Sequence, residues 1–362
     1  MTAMIEPRAN NVLFPASVVG SMPRPDFVKD LISGNGDMED ESYHRRMEAA
    51  VRYIVALQES AGLDVVTDGE WWRKSYIGVV AELAHGFELT RNPADGRPWT
   101  VVVDKLAPKK PGFIAREVAF LKQITDRRIK ATLPAPALLG ERMWDPEKSS
   151  HAYPKRDDFV RDCVPVLRRE LELLKTEGVS IIQIDDPHLC LFVDPSVRAT
   201  YDDAESASDF AVEMVNRLVG GIEGLKLAVH LCRRAGARAR GEVQHEGGYG
   251  PILEQLNRLA VHHLTMEFTA PGAGEMSIFH QLREDFEIGL GCVSCAPGVV
   301  DSAEQIVARV TTALQHLEPH RITLNPDCGF APGSAANVSI DEVYLKLKNE
   351  AEAARRLREM YG

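Results

Sequence analysis

The sequence predicts an α/β protein folded as a single elaborated (β/α)8 barrel that spans residues 1–362. Eight short apolar runs, most of them rich in Val, Ile and Leu and bounded by Gly, Pro or Asp, have the composition of buried parallel strands. Longer amphipathic stretches separate them, and no low-complexity linker divides the chain. Eight strand–helix repeats favour a closed barrel over an open doubly wound sheet.

The predicted elements follow one another in that alternation. The strands are 16–20, 63–67, 130–133, 179–184, 225–231, 263–267, 287–291 and 321–324. The helices are 37–60, 157–177, 202–218, 249–259, 275–283, 302–317 and 339–360. Residues 68–130 are too many for one helix, so we expect an insertion after the second strand, with a hairpin around WTVVVDKL.

Composition excludes several classes of protein. The chain is 44% hydrophobic and 26% charged, typical of a globular protein. A net charge of −11 without a Lys/Arg stripe argues against nucleic-acid binding. No apolar run reaches the ~18–20 residues that cross a bilayer, and the N-terminus does not resemble a secretory signal. We therefore expect a cytoplasmic protein in which the six cysteines are core residues, metal ligands or nucleophiles.

Polar side chains gather where the predicted strands end. In a (β/α)8 barrel the active site lies at the carboxyl ends of the strands. The residues at these ends are Ser21, Glu70, Asp185, His230, Cys232, Glu267, Cys292, Cys295 and Cys328. Scattered surface polarity would not place polar and soft groups so regularly, and this rim is therefore the predicted site.

Four of these residues form a predicted metal site. His230 and Cys232 are two apart, so on a strand they point the same way. H-x-C alone is a weak pattern that ordinary buried residues also give. Together with Glu267 and Cys328 it provides a ligand set that suits Zn²⁺. Two thiolates and one carboxylate leave the zinc with net negative charge, which disfavours a hydrolase and favours activation of a thiol.

Two acids and one hydroxyl are predicted to serve a substrate. Asp185 and Glu70 can pair with an ammonium group, and Ser21 can bind a carboxylate through its hydroxyl and N–H. Asp185 can instead cap the segment that follows it. Glu70 can instead pair with Arg73.

The remaining candidates carry two interpretations each. Arg233 and Arg234 can clamp a carboxylate, sulfonate or phosphate, or lie on a solvated basic face. Trp71 and Trp144 can form an aromatic wall for a substrate, or pack in the core. The pair Cys292 and Cys295 has C-x-x-C spacing, which we interpret as packing or pocket lining rather than a redox motif.

These motifs resemble the catalytic barrel of cobalamin-independent methionine synthase. VVGSMPRP, LDVVTDGEWWR, IIQIDDP, VHLC, LTMEF and NPDCG occur in the family's order over nearly the whole chain. The resemblance implies a zinc barrel that transfers an alkyl group to a zinc-bound thiol, with His230, Cys232, Glu267 and Cys328 as ligands. It also implies that Ser21, Glu70 and Asp185 hold an amino-acid thiol.

One departure from the family concerns the loop after the seventh strand. The family usually has Asp-x-His-Ser-Pro there, and its His is a proton donor to the methyl carrier. Aligned on Pro297, this chain has Cys295 in place of the His and Val293 in place of the Asp. Protonating the leaving nitrogen of a folate would then need another group.

The sequence thus predicts a zinc-dependent methyltransferase or alkyltransferase whose partners are a small-molecule thiol and an alkyl donor. The donor is a folate or another methyl carrier. Three alternatives remain open. The first resembles epoxyalkane:coenzyme M transferase, a single-barrel relative. The second is a metal-free lyase similar to uroporphyrinogen decarboxylase, and the third is a binding barrel without catalysis.

Overall fold

A computed structural model describes residues 12–33, 41–92, 96, 98–233, 245–270, 272–330 and 338–362. Its main sheet has seven parallel strands in the order β1-β4-β5-β6-β7-β8-β9. These are β1 (Val65–Val66), β4 (Arg128–Pro134), β5 (Ile181–Asp185), β6 (Lys226–Leu231), β7 (His263–Glu267), β8 (Glu287–Val293) and β9 (Ile322–Pro326). Strands β5, β6, β7 and β9 are buried along almost their whole length, as a sheet covered on both faces requires.

The chain closes this sheet with its first extended segment. Ala16 bridges Leu324 of β9, and Ser17 bridges Val65 of β1, both in parallel. The two edge strands are therefore joined through residues 16 and 17, which take the eighth position. This closure confirms the predicted (β/α)8 barrel, although the predicted strand 16–20 is reduced to two bridges.

Helices surround the sheet. The α-helices are Asp26–Ser33, Glu41–Ala61, Val80–Leu83, Phe113–Leu121, Pro136–Met143, Arg156–Glu177, Pro187–Leu191, Pro195–Arg198, Ala204–Val219, Leu253–Arg258, Ala303–Ala313 and Ile340–Tyr361. Single turns of 3-10 helix cover Gly250–Ile252 and Pro319–Arg321, and a longer one covers Met276–Gln281. Sequence signals set several ends: Ser302 and Gln305 form a capping box, and Gly178 ends its helix with a φ of 75°.

The predicted insertion is present as an antiparallel hairpin. Strands β2 (Ala84–Arg91) and β3 (Pro98–Pro108) pair between β1 and β4. The contacts that hold the hairpin to the barrel include two hydrogen bonds of 2.8 Å, from Trp99 Nε1 to the Arg142 carbonyl and from the Leu106 N–H to the Tyr153 hydroxyl. The hairpin adds no strand to the barrel sheet.

Strand register brings the carboxyl ends to one rim. Asp185 of β5 pairs with His230 of β6, and Glu267 of β7 pairs with Gly291 of β8. Gly291 in turn pairs with Asn325 of β9. The polar residues that the sequence places after separate strands therefore share one end of the barrel. Across the described ranges, no helix is both long and apolar enough to cross a membrane.

Candidate active site

Three predicted ligands meet at the carboxyl rim. His230, Cys232 and Cys328 are buried, and one ligand atom from each lies within 4.8 Å of the others. The two sulfur atoms are 3.4 Å apart. This is a compact set of one imidazole and two thiols, the donor types that zinc prefers in proteins.

An acid orients the imidazole. His230 Nδ1 lies 3.1 Å from Asp185 Oδ1, which also accepts a hydrogen bond from Gln183 Nε2 at 2.8 Å. Nε2 of His230 is buried and finds no hydrogen-bond partner among the described residues. The imidazole is thus held by one nitrogen while the other is left for a ligand.

The helix cap that the sequence allowed for Asp185 is made instead by its neighbour, Asp186. Asp186 Oδ1 accepts the N–H of Leu189 at 2.9 Å and so caps the helix Pro187–Leu191. Asp185 is therefore available to His230.

Glu267, the fourth predicted ligand, lies at the end of β7 outside that three-residue group. It is fully buried, and its Oε2 accepts the Arg233 N–H at 2.8 Å. The Tyr249 hydroxyl accepts the Glu267 N–H at 2.8 Å and donates to its carbonyl at 3.2 Å. Both its backbone and its carboxylate are thus fixed at the rim.

Cys295 lies against Cys328. Its sulfur donates to the Cys328 carbonyl at 3.0 Å and accepts the Cys328 N–H at 3.2 Å. The buried Lys346 holds its loop by donating to the Ser294 and Ala296 carbonyls at 3.0 and 2.9 Å. Cys292 is buried in the main hydrophobic core. The two cysteines therefore differ: Cys295 borders the group of His230, Cys232 and Cys328, and Cys292 packs in the core.

A second group of acids follows β1. Glu70 is buried with a φ of +58°, a left-handed conformation that is rare and costly for a residue with a side chain. Its Oε1 accepts the Thr132 hydroxyl at 2.7 Å. A Cβ on Gly20 would lie only 2.8 Å from that oxygen, so the carboxylate depends on this glycine. Burial raises the pKa of Glu70, and nearby Arg73 lowers it.

Arg73 is committed mainly to another acid. Its guanidinium bonds Glu117 at 2.6 Å and Thr132 at 2.9 Å, whereas its closest approach to Glu70 is 4.0 Å. The pairing of Glu70 with Arg73 that the sequence allowed is therefore the weaker one.

Ser21 lies beside the loop that carries Cys328. Its carbonyl accepts the Phe330 N–H at 3.0 Å. A Cβ on Gly329 would lie 2.2 Å from the Ser21 hydroxyl, so only glycine leaves room for the serine. The first segment of the barrel and the NPDCG loop thus meet at the site.

Two expectations need correction. The Arg233 guanidinium is buried: Nη2 donates to the Gly247 and Ala273 carbonyls at 2.7 and 3.1 Å, and the group stacks on Tyr249. It binds loops of the protein and is neither a substrate clamp nor a solvated cation. Trp71 is fully buried, with Nε1 donating to the Met22 carbonyl at 3.2 Å, and is a core residue.

Two other substrate candidates remain predictions. Trp144 is half-buried, and its Nε1 donates to the Tyr153 carbonyl at 2.9 Å. Arg234 lies outside the described residues.

Sequence reasoning missed Gln183, whose Nε2 donates to Asp185 Oδ1 at 2.8 Å. Its inward position two residues before Asp185 was the available signal.

Comparison with known proteins places this geometry among related chains. The family described as the catalytic domain of cobalamin-independent synthase matches residues 14–356. A methionine synthase of Pyrococcus abyssi is 26% identical over 358 residues, covering 96% of this chain and 93% of its own. One from Saccharolobus islandicus is 27% identical over 361 residues, covering 96% of each.

Solved structures share the fold. A B12-independent methionine synthase from Shewanella sp. W3-18-1, solved in complex with selenomethionine, superposes with a TM-score of 0.78. It is 21% identical, and the match covers 96% of this chain and 98% of that one. A methyltransferase from Methanosarcina mazei superposes with a TM-score of 0.57 at 13% identity, covering 94% of each chain.

Proposed function

The chain belongs to the family of cobalamin-independent methionine synthase catalytic domains, and from this premise we propose that it is a zinc-dependent transferase. It moves a methyl group, or a related small alkyl group, onto the sulfur of a small thiol. The observation that carries the proposal is the buried cluster of His230, Cys232 and Cys328. Methyl transfer by related methionine synthases supports the same reaction class.

The chemistry of the cluster fits zinc. His230 Nε2 is buried and has no hydrogen-bond partner among the described residues, an arrangement that is costly unless a ligand satisfies it. Asp185 on Nδ1 provides the carboxylate that usually orients a metal-binding histidine. We assign His230, Cys232 and Cys328 as ligands and Glu267 as the fourth. When bound, zinc would lower the pKa of the acceptor thiol.

The protein's own groups would hold the substrate for the transfer. The acceptor sulfur forms a bond to the alkyl carbon, the bond from that carbon to its carrier breaks, and the electron pair stays on the carrier. Glu70 and Asp185 would bind an ammonium group, and Ser21 a carboxylate. Because the reacting atoms must be held in line, these contacts supply orientation.

The charges at the site favour an amino-acid thiol. The acids Glu70 and Asp185 lie at the rim, and Arg233, which would have bound an anionic thiol, is engaged by Gly247 and Ala273. This argues against the alternative that resembles epoxyalkane:coenzyme M transferase, whose thiol carries a sulfonate. A thiol of the homocysteine class is the proposed acceptor.

The loop after β8 bears on the donor. Cys295 has both of its hydrogen bonds with the backbone of Cys328, and Val293 is buried in β8. Neither supplies the His–Asp pair that the family uses to protonate a folate. We therefore propose that the methyl donor is not methyltetrahydrofolate reacting by the family's usual route, and that another methyl carrier takes its place.

Metal analysis and a donor screen test the proposal. Protein purified without added zinc is expected to hold about one zinc per chain. With zinc bound, homocysteine paired with candidate methyl carriers should give a thioether detectable by mass spectrometry. Methylation only of coenzyme M would contradict the acceptor class. Near-zero zinc, with added zinc restoring neither binding nor turnover, would favour the metal-free lyase, and thiol binding without turnover the binding barrel.

A further inference from the structure

Asp327, in the loop that follows β9, makes a hydrogen-bond pattern that the proposed reaction does not use. Its Oδ1 accepts the N–H groups of Phe268 and Thr269, each at 3.0 Å. Its Oδ2 accepts the Thr269 hydroxyl. The residue is 2% exposed. One buried carboxylate thus binds three donors from the end of β7.

These contacts join two predicted zinc ligands. Phe268 directly follows Glu267, and Asp327 directly precedes Cys328. The Asp327 N–H also donates to the Val293 carbonyl at the end of β8, at 3.0 Å. The ends of three neighbouring strands, β7, β8 and β9, are therefore tied together at a single residue.

The strand between them is shaped for this contact. A Cβ on Gly291 of β8 would lie 2.5 Å from Asp327 Oδ1, 2.6 Å from the Met266 carbonyl and 3.1 Å from the Glu267 Cα. The first two separations are too short for a real Cβ and the third is tight, and two of the three involve the backbone of β7. Glycine at this position is what lets the carboxylate cross β8 and reach the backbone of β7.

We propose that Asp327 is a positioning residue that sets the distance between Glu267 and Cys328 and so prepares the site for zinc. The inference rests on the proposed zinc site and deepens it. A carboxylate that accepts several N–H groups fixes a backbone more firmly than a neutral acceptor does. Outer residues that orient metal ligands typically contribute 10–100-fold to metal affinity.

A neighbouring acid offers a matched control. Asp301 is 3% exposed, and its carboxylate accepts the Ser294 N–H at 2.8 Å and pairs with Arg309 at 2.7 Å. It therefore makes similar buried contacts next to the same strand, but it flanks no predicted ligand. A loss of zinc affinity that follows Asp327 and not Asp301 separates positioning from general stability.

The experiment measures zinc affinity by competition with a chromophoric chelator, and the absorption spectrum after Co²⁺ substitution. Asp327→Asn should lower zinc affinity about 10–100-fold and change the cobalt spectrum, with Asp301→Asn close to wild type. Thr269→Val, which removes the hydroxyl that Asp327 binds, should lose less zinc affinity, and Thr269→Ser, which keeps the hydroxyl, should stay close to wild type. These two variants test the proposal even if Asp327→Asn fails to fold. Thermal unfolding of the zinc-free proteins reports stability separately.

The outcomes distinguish the two proposals. Wild-type zinc affinity and an unchanged cobalt spectrum in both Asp327→Asn and Thr269→Val would overturn the role of Asp327 and leave the zinc enzyme standing. Equal losses in Asp327→Asn and Asp301→Asn would also overturn it, because the effect would then be general. A wild-type protein that binds no zinc would overturn the proposed function itself.

Discussion

The sulfur atoms of Cys232 and Cys328 lie 3.4 Å apart although 96 positions separate them in the chain. Cys232 follows β6 and Cys328 follows β9, strands separated by β7 and β8, so it is the folded barrel that brings the two sulfur atoms together. A third donor, His230, lies within the same group. Two thiols and an imidazole this close, all buried, are the basis of the proposed metal chemistry.

We expect Cys328→Ser to lose zinc, because a neutral hydroxyl replaces a thiolate ligand. Its zinc affinity should fall by about 100-fold or more, beyond the usual effect of an outer residue. Elemental analysis and chelator competition measure this. Cys163→Ser is the control, since Cys163 is equally buried but packs in the helix Arg156–Glu177. Full zinc occupancy in Cys328→Ser would mean that Cys328 is not a ligand, whereas unchanged activity in a protein that holds no zinc would favour the metal-free lyase.

Asp185→Asn is expected to weaken zinc binding without removing it. The change takes away the negative charge 3.1 Å from His230 Nδ1, and an affinity about 10–100-fold lower is the usual result. Chelator competition is again the measurement. Asp186→Asn provides the comparison, because that side chain only caps a helix and Asn also caps well. Equal zinc affinity in the Asp185→Asn variant and in wild type would contradict the proposal that Asp185 orients His230 for the metal.

The fold could be predicted from the sequence because its signal is local. Each strand is a short apolar run, and the run from 263 to 267 coincides with β7. The residues at the carboxyl rim could then be predicted from the ends of the strands, because parallel strands place their carboxyl ends on one side of the barrel. The direction of a side chain just beyond a strand has no such signal. Arg233 was predicted to bind a substrate because the sequence shows its charge. The sequence does not show that the carbonyls of Gly247 and Ala273 lie close enough to bind that charge.

The Asp327 contacts show a second limit. They involve three strands that are neighbours only in the folded barrel, and they depend on a missing Cβ at Gly291. The spacing of residues along the chain does not indicate that the Asp327 carboxylate passes β8 at Gly291. The NPDCG sequence identified Cys328 by its thiol, but the acid beside it acquires its role from the backbone of β7.

Arg73→Met should destabilise the protein strongly. The guanidinium is 2% exposed and bonds the buried Glu117 at 2.6 Å, so its removal leaves a carboxylate without its cation. Breaking such a buried pair costs about 3–5 kcal/mol in the free energy of unfolding, measured by urea denaturation. The double variant Arg73→Met with Glu117→Gln should recover part of that loss. Arg355→Met should cost far less, because Arg355 makes only surface ion pairs.

Glu350→Gln should change how stability depends on pH. Glu350 is fully buried: Oε1 accepts the Ser17 N–H at 3.0 Å, and Oε2 has no hydrogen-bond partner among the described residues. Burial raises its pKa from 4.5 to about 8, against the opposing effects of the Ser17 bond and Lys130. The folded protein therefore keeps this proton up to about pH 8, whereas the unfolded chain releases it near 4.5.

The sign of the effect follows from proton uptake. Between pH 4.5 and 8 the folded state binds more protons than the unfolded state, so Glu350 contributes stability that is lost as the pH rises. Glutamine does not titrate. As the pH rises through this range, the free energy of unfolding of Glu350→Gln should therefore increase relative to that of wild type, by up to about 1.4 kcal/mol for each pH unit. Urea denaturation of the zinc-free proteins at several pH values measures the difference. Glu352→Gln should show a constant offset, since its surface ion pairs with Arg355 and Arg356 lower the pKa of Glu352 to about 2. Parallel pH profiles for Glu350→Gln and wild type would mean that Glu350 is ionised in the folded protein.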